Sequence, residues 1–338
     1  MKNIKFDVIM PCYNSEEYVK NAIESLLNQS YSNWELIAVN DGSKDSTLDI
    51  LNHFATTDSR IKVFSKRNGG YATAVNLGLK KVSGDYFLMM GSDDMLSENL
   101  FDNLAKLICA EKSFPDIVAF RAVKIKNGLF FERDQISNFD SCAALFDTSI
   151  AEFEKRYPQH AKILSVRDTA KCYKTSRLNN LRYFGKFGFD ADGVFATLFT
   201  HKCHSFLCVP TDGYLWTIRE NSVSAKVTPK INIDRLTVWR KYLSTISQDK
   251  AIELSSQEKK YILYPFTLSI NRLKKDKRPS IKEWVLMHLA IRRSVKVAKK
   301  KKINLSYYEE IFDPNPIKRA LFLAFPLLWL LRHGFVYE

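Results

Sequence analysis

"IKFDVIMPCYNSEEYVKNAIESLLNQSYSNWELIAVN", residues 4–40, reads as a strand, a helix and a second strand. Apolar, β-branched runs at 4–10 and 34–40 flank a helical pattern at about 15–29, and turn residues punctuate both junctions. The same unit continues outward. "IKVFS" (61–65) and "DYFLMM" (85–90) are further strand runs, and helical patterns recur at about 45–56, 71–82 and 97–112. Such βαβα alternation predicts a mostly parallel sheet with helices on both faces. Ligands of these sheets collect beyond the carboxyl ends of the strands. Each polar cluster here follows a strand: "PCYN" (11–14), "NDGSKDST" (40–47), "KRNGG" (66–70) and "GSDD" (91–94). Four loops are therefore expected on one rim.

Beyond residue 115 the alternation weakens. "DIVAFRAVKI" (116–125) and "LFFER" (129–133), separated by Asn127-Gly128, predict a hairpin, because Asn-Gly accommodates the positive φ of a two-residue turn. Residues 140–182 read as mainly helical with loops, and "SFLCVP" (205–210) with "GYLWTI" (213–218) as a further strand pair. From 226 to 312 the spacing is helical, with Trp284, His288, Ile291 and Val295 on one stripe.

At 338 residues and 46% apolar content, the chain can bury one large core or two smaller ones. The formal net charge of +14 is unevenly placed: residues 226–338 hold 24 Lys or Arg against 10 Asp or Glu, leaving 27 of each before them. This break predicts a boundary near 225, with an α/β domain over 1–225 and a basic, mainly helical region over 226–338, and it directs any anionic partner to the second. The six cysteines are scattered without a CxxC pair, which predicts reduced thiols and excludes a disulfide scaffold. Asp7 interrupts the early apolar run of "MKNIKFDVIMP", which argues against an export signal and for a cytoplasmic protein. "HKCHSFLC" (201–208) lacks a second pair at structural-zinc spacing.

The adjacent carboxylates Asp93 and Asp94 end the fourth strand run without a neighbouring Lys or Arg. A hard divalent cation such as Mn²⁺ or Mg²⁺ suits them, since it is commonly held by one or two carboxylates plus substrate phosphates. They can equally be a solvated loop, or, with Ser92, the N-cap of the next helix. Tyr13 offers a flat ring beside Pro11 at the first strand end. Asp41-Gly42-Ser43 is a turn signal, and Gly69-Gly70 before a helix permits close backbone approach by an anion or a sugar.

Together these motifs, with "NGGYATAVNLGL", "SGDYFLMMGSDD" and "GFDADGVF" in that order, resemble the inverting family-2 glycosyltransferases with the GT-A fold, over about residues 4–225. The resemblance implies a Rossmann-like sheet and sugar transfer from a nucleotide diphosphate, most simply UDP-linked, to a hydroxyl of a glycan or lipid-linked saccharide in cell-surface polysaccharide synthesis. It places Pro11 and Tyr13 at the uracil, Asn40 or Asp41 at a base N–H, and Asn68 and Gly69 beside the donor. Asp93 goes to the ribose or metal region, and Asp94 to the cation. Asp192 becomes the base that accepts the acceptor proton, with Asp190 as fallback and helix capping as the structural alternative. Arg219, in "WTIRENSVS", becomes a phosphate or acceptor contact, or a surface ion pair. Three positions depart from the family pattern: Gly91 stands where many relatives have Asp, Val75 where many have Arg, and Ala191 where Glu is usual.

The apolar run 320–331 is too short, at about 1.5 Å per residue, to cross a hydrocarbon core of about 30 Å, and Pro326 interrupts it. With Lys318, Arg319, Arg332 and the run 299–302 it reads as a segment lying on an anionic leaflet, at the inner face of the cell membrane. Two competing classes are a nucleic-acid-binding protein using the basic region and a non-catalytic glycan-binding relative. The first leaves the strand-end motifs unused, and no recognition module is readable, so no nucleic-acid partner is expected.

Overall fold

The computed structural model describes residues 3–126, 129–133, 144–147, 152–153, 167–186 and 190–219, with six isolated positions between 234 and 245. The chain divides into two units, Met1–Ala225 and Lys226–Glu338. In the second, only those isolated positions are described; they are helical, and Val238 and Tyr242 are buried. The helical reading of 226–312 otherwise lies outside the described residues, as do the basic run and the apolar tail. Among the described residues, no helix is long and apolar enough to cross a membrane.

The first unit opens with the alternation read from the sequence. Strands β1 (Phe6–Cys12), β2 (Trp34–Asn40), β3 (Ile61–Ser65) and β4 (Tyr86–Met89) alternate with helices α1 (Val19–Leu27), α2 (Thr47–Thr57) and α3 (Tyr71–Leu79). The two-residue β5 (Met95–Leu96) and α4 (Leu100–Ala110) follow. These four strands pair in parallel in the order β3-β2-β1-β4. Period-2 alternation sends the side chains of β1 to opposite faces. Phe6, Val8 and Met10 join α1, α2 and α4 in one core, where Phe101 stacks on Phe6 at 4.9 Å. Ile37 and Val39 of β2 turn to the other face and pack under Ala74 of α3. Helices therefore cover both faces, and the loops after β1, β2, β3 and β4 share one edge.

The remainder completes a ten-stranded sheet. β6 (Ile117–Lys126) and β7 (Leu129–Arg133) pair antiparallel as the expected hairpin, its Asn-Gly turn lying outside the described residues. Two expectations are corrected. Within 140–182, read as mainly helical, the described residues include strands β8 (Ala144–Asp147) and β9 (Lys171–Lys174), a 3-10 turn at Thr175–Arg177 and helical positions 152–153; 140–143, 148–151 and 154–166 lie outside the described residues. β9 slots antiparallel between β4 and β6, so both neighbours satisfy its backbone and tertiary pairing overrides a weak local pattern. Residues 205–218 are likewise no strand pair: β10 (Ser205–Thr217) is one strand, parallel to β6 throughout. Pro210 and Gly213, the apparent turn, fall at two register shifts between Val209 and Tyr214. Gly213 is required there because a Cβ would lie 2.5 Å from Leu100 Cδ1 and 2.6 Å from Phe120 Cδ2. Helix α5 (Ala191–Thr200) packs Phe195 and Phe199 against Phe87 on the α3 side. None of the five described cysteines forms a disulfide.

Candidate active site

Asp93 and Asp94 sit just past β4, and the capping alternative fails for both: β5 intervenes, and α4 begins only at Leu100 behind Asn99. Asp94 is 7% exposed. Its Oδ2 accepts a hydrogen bond from the Tyr214 hydroxyl at 2.6 Å, and its Oδ1 accepts one from the Thr217 backbone N–H at 3.0 Å. The Tyr214 oxygen in turn accepts the Gly91 N–H at 3.0 Å. Burial, then the charge of Asp93, push the Asp94 carboxyl up to about 7 against the pull of these donors and of Arg219. Asp93 pairs with Arg219, whose guanidinium lies 4.8 Å above the Tyr18 ring and whose Nε is buried without a hydrogen-bond partner. Gly91 has a steric reason: a Cβ there would meet Asp94 Oδ2 at 2.6 Å and Asp93 Oδ1 at 2.7 Å. The third Asp of many relatives could enter only if both carboxylates moved.

These groups fit a divalent cation. Asp94 is a buried carboxylate with neutral donors on both oxygens and a like charge beside it, so a cation would favour its ionised form. Each of its oxygens keeps a lone pair beyond the bond it accepts. Among the described residues no group of three or more His, Cys, Asp or Glu could hold a metal, which leaves the further ligands to phosphate and water, as Mg²⁺ and Mn²⁺ accept.

The loops after β1, β2 and β3 interlock. Tyr13 is 47% exposed at the end of β1, and Pro11 is buried within that strand opposite Val39. Asn40 donates to Ser65 Oγ at 3.0 Å and accepts the Ser43 N–H at 3.1 Å. Asp41 accepts the N–H groups of Gly69 (2.9 Å) and Gly70 (2.8 Å) and the Lys66 ammonium. The Asp41 carboxylate thus occupies the two backbone N–H groups just ahead of α3. Asn40 and Asp41 are both engaged in shaping the loops, and Asn68 is exposed beside them.

Asp192 lies in the first turn of α5, behind Asp190, which makes no side-chain capping bond. Burial raises the Asp192 carboxyl to about 6; the Gly193 N–H lowers it, and the charge of Asp190 raises it. Sequence reasoning missed its neighbour. Asp168, buried ahead of β9, accepts a hydrogen bond from Tyr183 and is raised to about 8 by burial and then by the charge of Asp192. Burial, then the charges of Asp168 and Asp192 and, more weakly, Tyr214 and Asp94, push the Tyr71 hydroxyl well above its ordinary value. Asp168, in "SVRDTAKCY", carries no spacing signal, and neither do Tyr214 and Thr217.

Residues 7–175, half of the chain, match the family described as glycosyl transferase family 2. The chain belongs to this family. Among curated relatives, it is 31% identical over 233 residues to the minor teichoic acid biosynthesis protein GgaB of Bacillus subtilis, covering 68% of this chain and 25% of that protein. It is 28% identical over 229 residues to the glycosyltransferase GlyA of Streptococcus pneumoniae, covering 67% and 32%. The chain thus spans about a quarter to a third of the length of these two relatives. Among solved structures it resembles S. aureus TarS 1-349 in complex with UDP-GlcNAc, with a TM-score of 0.64 at 20% identity over 99% of this chain and 93% of that one. For the UDP complex the TM-score is 0.62 at 20% identity, over 88% and 82%. This likeness is one of fold. The family match ends before β10, although β10 and the residues after it supply Tyr214, Thr217 and Arg219.

Proposed function

We propose that this family-2 chain transfers a sugar, with inversion, from a UDP-linked donor to a hydroxyl of a saccharide acceptor in cell-surface polymer synthesis, with a divalent cation at Asp93 and Asp94. One observation carries the reading: a buried carboxylate, Asp94, built into the end of β4 by two donors of a distant strand and set beside a second carboxylate. GgaB, named for teichoic acid biosynthesis, and the UDP and UDP-GlcNAc complexes of TarS support the polymer class and the uridine donor.

In this mechanism the exposed ring of Tyr13 is the platform for the base, beside Pro11. Asp41 keeps the Gly69-Gly70 loop closed under the donor, while Asn40 fixes the turn at Ser43. Asp93 faces the ribose or the cation. Arg219, now paired with Asp93 and carrying an unsatisfied Nε–H, can exchange onto a phosphate oxygen. Bound at Asp94, the cation would stabilise charge developing on the departing diphosphate. Asp192 takes the proton from the acceptor hydroxyl; with its carboxyl near 6 it is mostly ionised at neutral pH yet basic enough to accept that proton. In this reading the work is done at the inner membrane face, where a lipid-linked acceptor would be presented; the charge excess of the last third supports it.

A panel of UDP-sugars, screened by thermal shift with Mn²⁺, tests the reading. One donor should raise the melting temperature only when metal is present, and Asp192→Asn should keep that shift while losing transfer. Unchanged melting with every donor, in folded protein, would sink it.

A further inference from the structure

A cavity of about 820 Å³ lies along the outer side of α3, between that helix and residues 178–182. Thr73, Leu77 and Lys80 form its helical wall; Leu178, Leu181 and Arg182 face them. Its lining includes three cationic side chains and no carboxylate. The first, Lys66, is immobilised: its ammonium donates to Asp41, to the Arg67 carbonyl at 2.7 Å and to Thr73 Oγ1 at 3.0 Å. The other two, Lys80 and Arg182, are exposed and form no ion pair among the described residues. A wall with uncompensated positive charge selects an anion, and the leucines between the charges offer apolar surface to carbon-bound hydrogens.

Position ties this cavity to the proposed chemistry. At one end Lys66 holds Asp41, which closes the donor loop. In the middle, Asn76 accepts the Tyr183 N–H at 2.8 Å and donates to the Tyr183 carbonyl at 3.0 Å; the Tyr183 hydroxyl reaches Asp168, beside Asp192. From Thr73 to Lys80 the wall runs two helical turns, about 10 Å at 1.5 Å per residue. A single phosphate cannot contact both ends, whereas a chain with charges repeated along its length can.

We infer that this groove binds a polyanionic carbohydrate chain, the extended part of the acceptor beyond the hydroxyl that reacts. The assignment of that chain as acceptor rests on the glycosyltransferase reading. Phosphodiester links and uronate carboxylates offer the same charge chemistry.

Calorimetric titration of the full chain would use four probes: a glycerol phosphate hexamer, a galacturonate hexamer, maltohexaose and inorganic phosphate. At least one charged hexamer should bind, weaken as salt rises, and weaken at least about tenfold in Lys80→Glu/Arg182→Glu, each reversal trading an attraction for a repulsion. Which hexamer binds identifies the anion. Thermal shift with UDP and Mn²⁺ should be the same in the double variant and the parent, which also shows that the variant folds. Equal binding of the hexamers to both proteins, equally tight maltohexaose, or inorganic phosphate binding as tightly as the hexamers would overturn the inference. If the hexamer binds as expected and UDP leaves the melting of the parent unchanged, the groove stands and the donor reading falls.

Discussion

Replacing Tyr214 by Phe deletes one oxygen that serves two groups. The ring is buried, so its packing remains and the loss is confined to the hydroxyl. That hydroxyl donates to Asp94 Oδ2 at 2.6 Å and accepts from Gly91 at 3.0 Å. A bond to a charged group contributes ~1.5–3 kcal/mol, and a partly buried N–H left without an acceptor costs ~1 kcal/mol, which together give about 3 kcal/mol. With a urea m-value of ~2–3 kcal/mol per molar for a unit of this size, the midpoint should fall by about 1 M. The same hydroxyl holds the Asp94 carboxyl down, so its removal raises that carboxyl beyond about 7 and weakens Mn²⁺ binding at neutral pH. Urea denaturation followed by tryptophan fluorescence measures the first effect, and Mn²⁺ titration the second. A midpoint within about 0.2 M of the parent, below what extrapolation distinguishes, would refute the claim that these two bonds hold the acidic loop.

Gly91→Ala should cost Mn²⁺ affinity at least about tenfold, because the new Cβ would displace both carboxylates; metal titration by calorimetry decides. Transfer should fall off as pH drops below about 6, where Asp192 takes up its proton, and Asp192→Asn should lower turnover by about 10²–10⁴ with donor binding kept. A flat pH–rate profile from 5 to 8 would remove Asp192 from the base role. Asp168 has a folded-state carboxyl near 8, above its unfolded value, so the folded chain keeps a proton that the unfolded chain releases. Its contribution is therefore greatest at low pH and is lost as pH rises toward 8. Asp168→Asn should flatten that slope in urea midpoints taken at pH 5.5 and 8.5.

The first four strands and helices were legible because each announces itself within ten residues. The expected strand at 61–65 matches β3, and that at 34–40 matches β2, since apolar runs bounded by turn residues need no distant partner to be recognised. β9 was not legible: Lys171, Cys172, Tyr173 and Lys174 have no strand pattern of their own, and the slot between β4 and β6 makes them one. Pro210 and Gly213 misled in the opposite direction, as a parallel neighbour keeps a bulged strand whole where local rules place a turn. At the proposed site, sequence singled out Asp93, Asp94 and Asp192 as candidates. It could not show that Asn40 and Asp41 also bond to neighbouring loops, nor that Tyr214 donates to Asp94 and Asp168 lies beside Asp192, because those contacts bridge segments far apart in the chain.

The bond from Tyr214 to Asp94 joins positions 120 residues apart. Synthesis from the N-terminus completes the Rossmann-like half long before this tether exists, so a nascent or truncated chain ending near residue 175 would own every acidic residue of the loop and neither of the two donors that hold Asp94. If Asp94 holds a cation as proposed, competence to grip it reports that β10 has docked. Any fragment designed from the shared family segment alone inherits the motif without the machinery that tunes it.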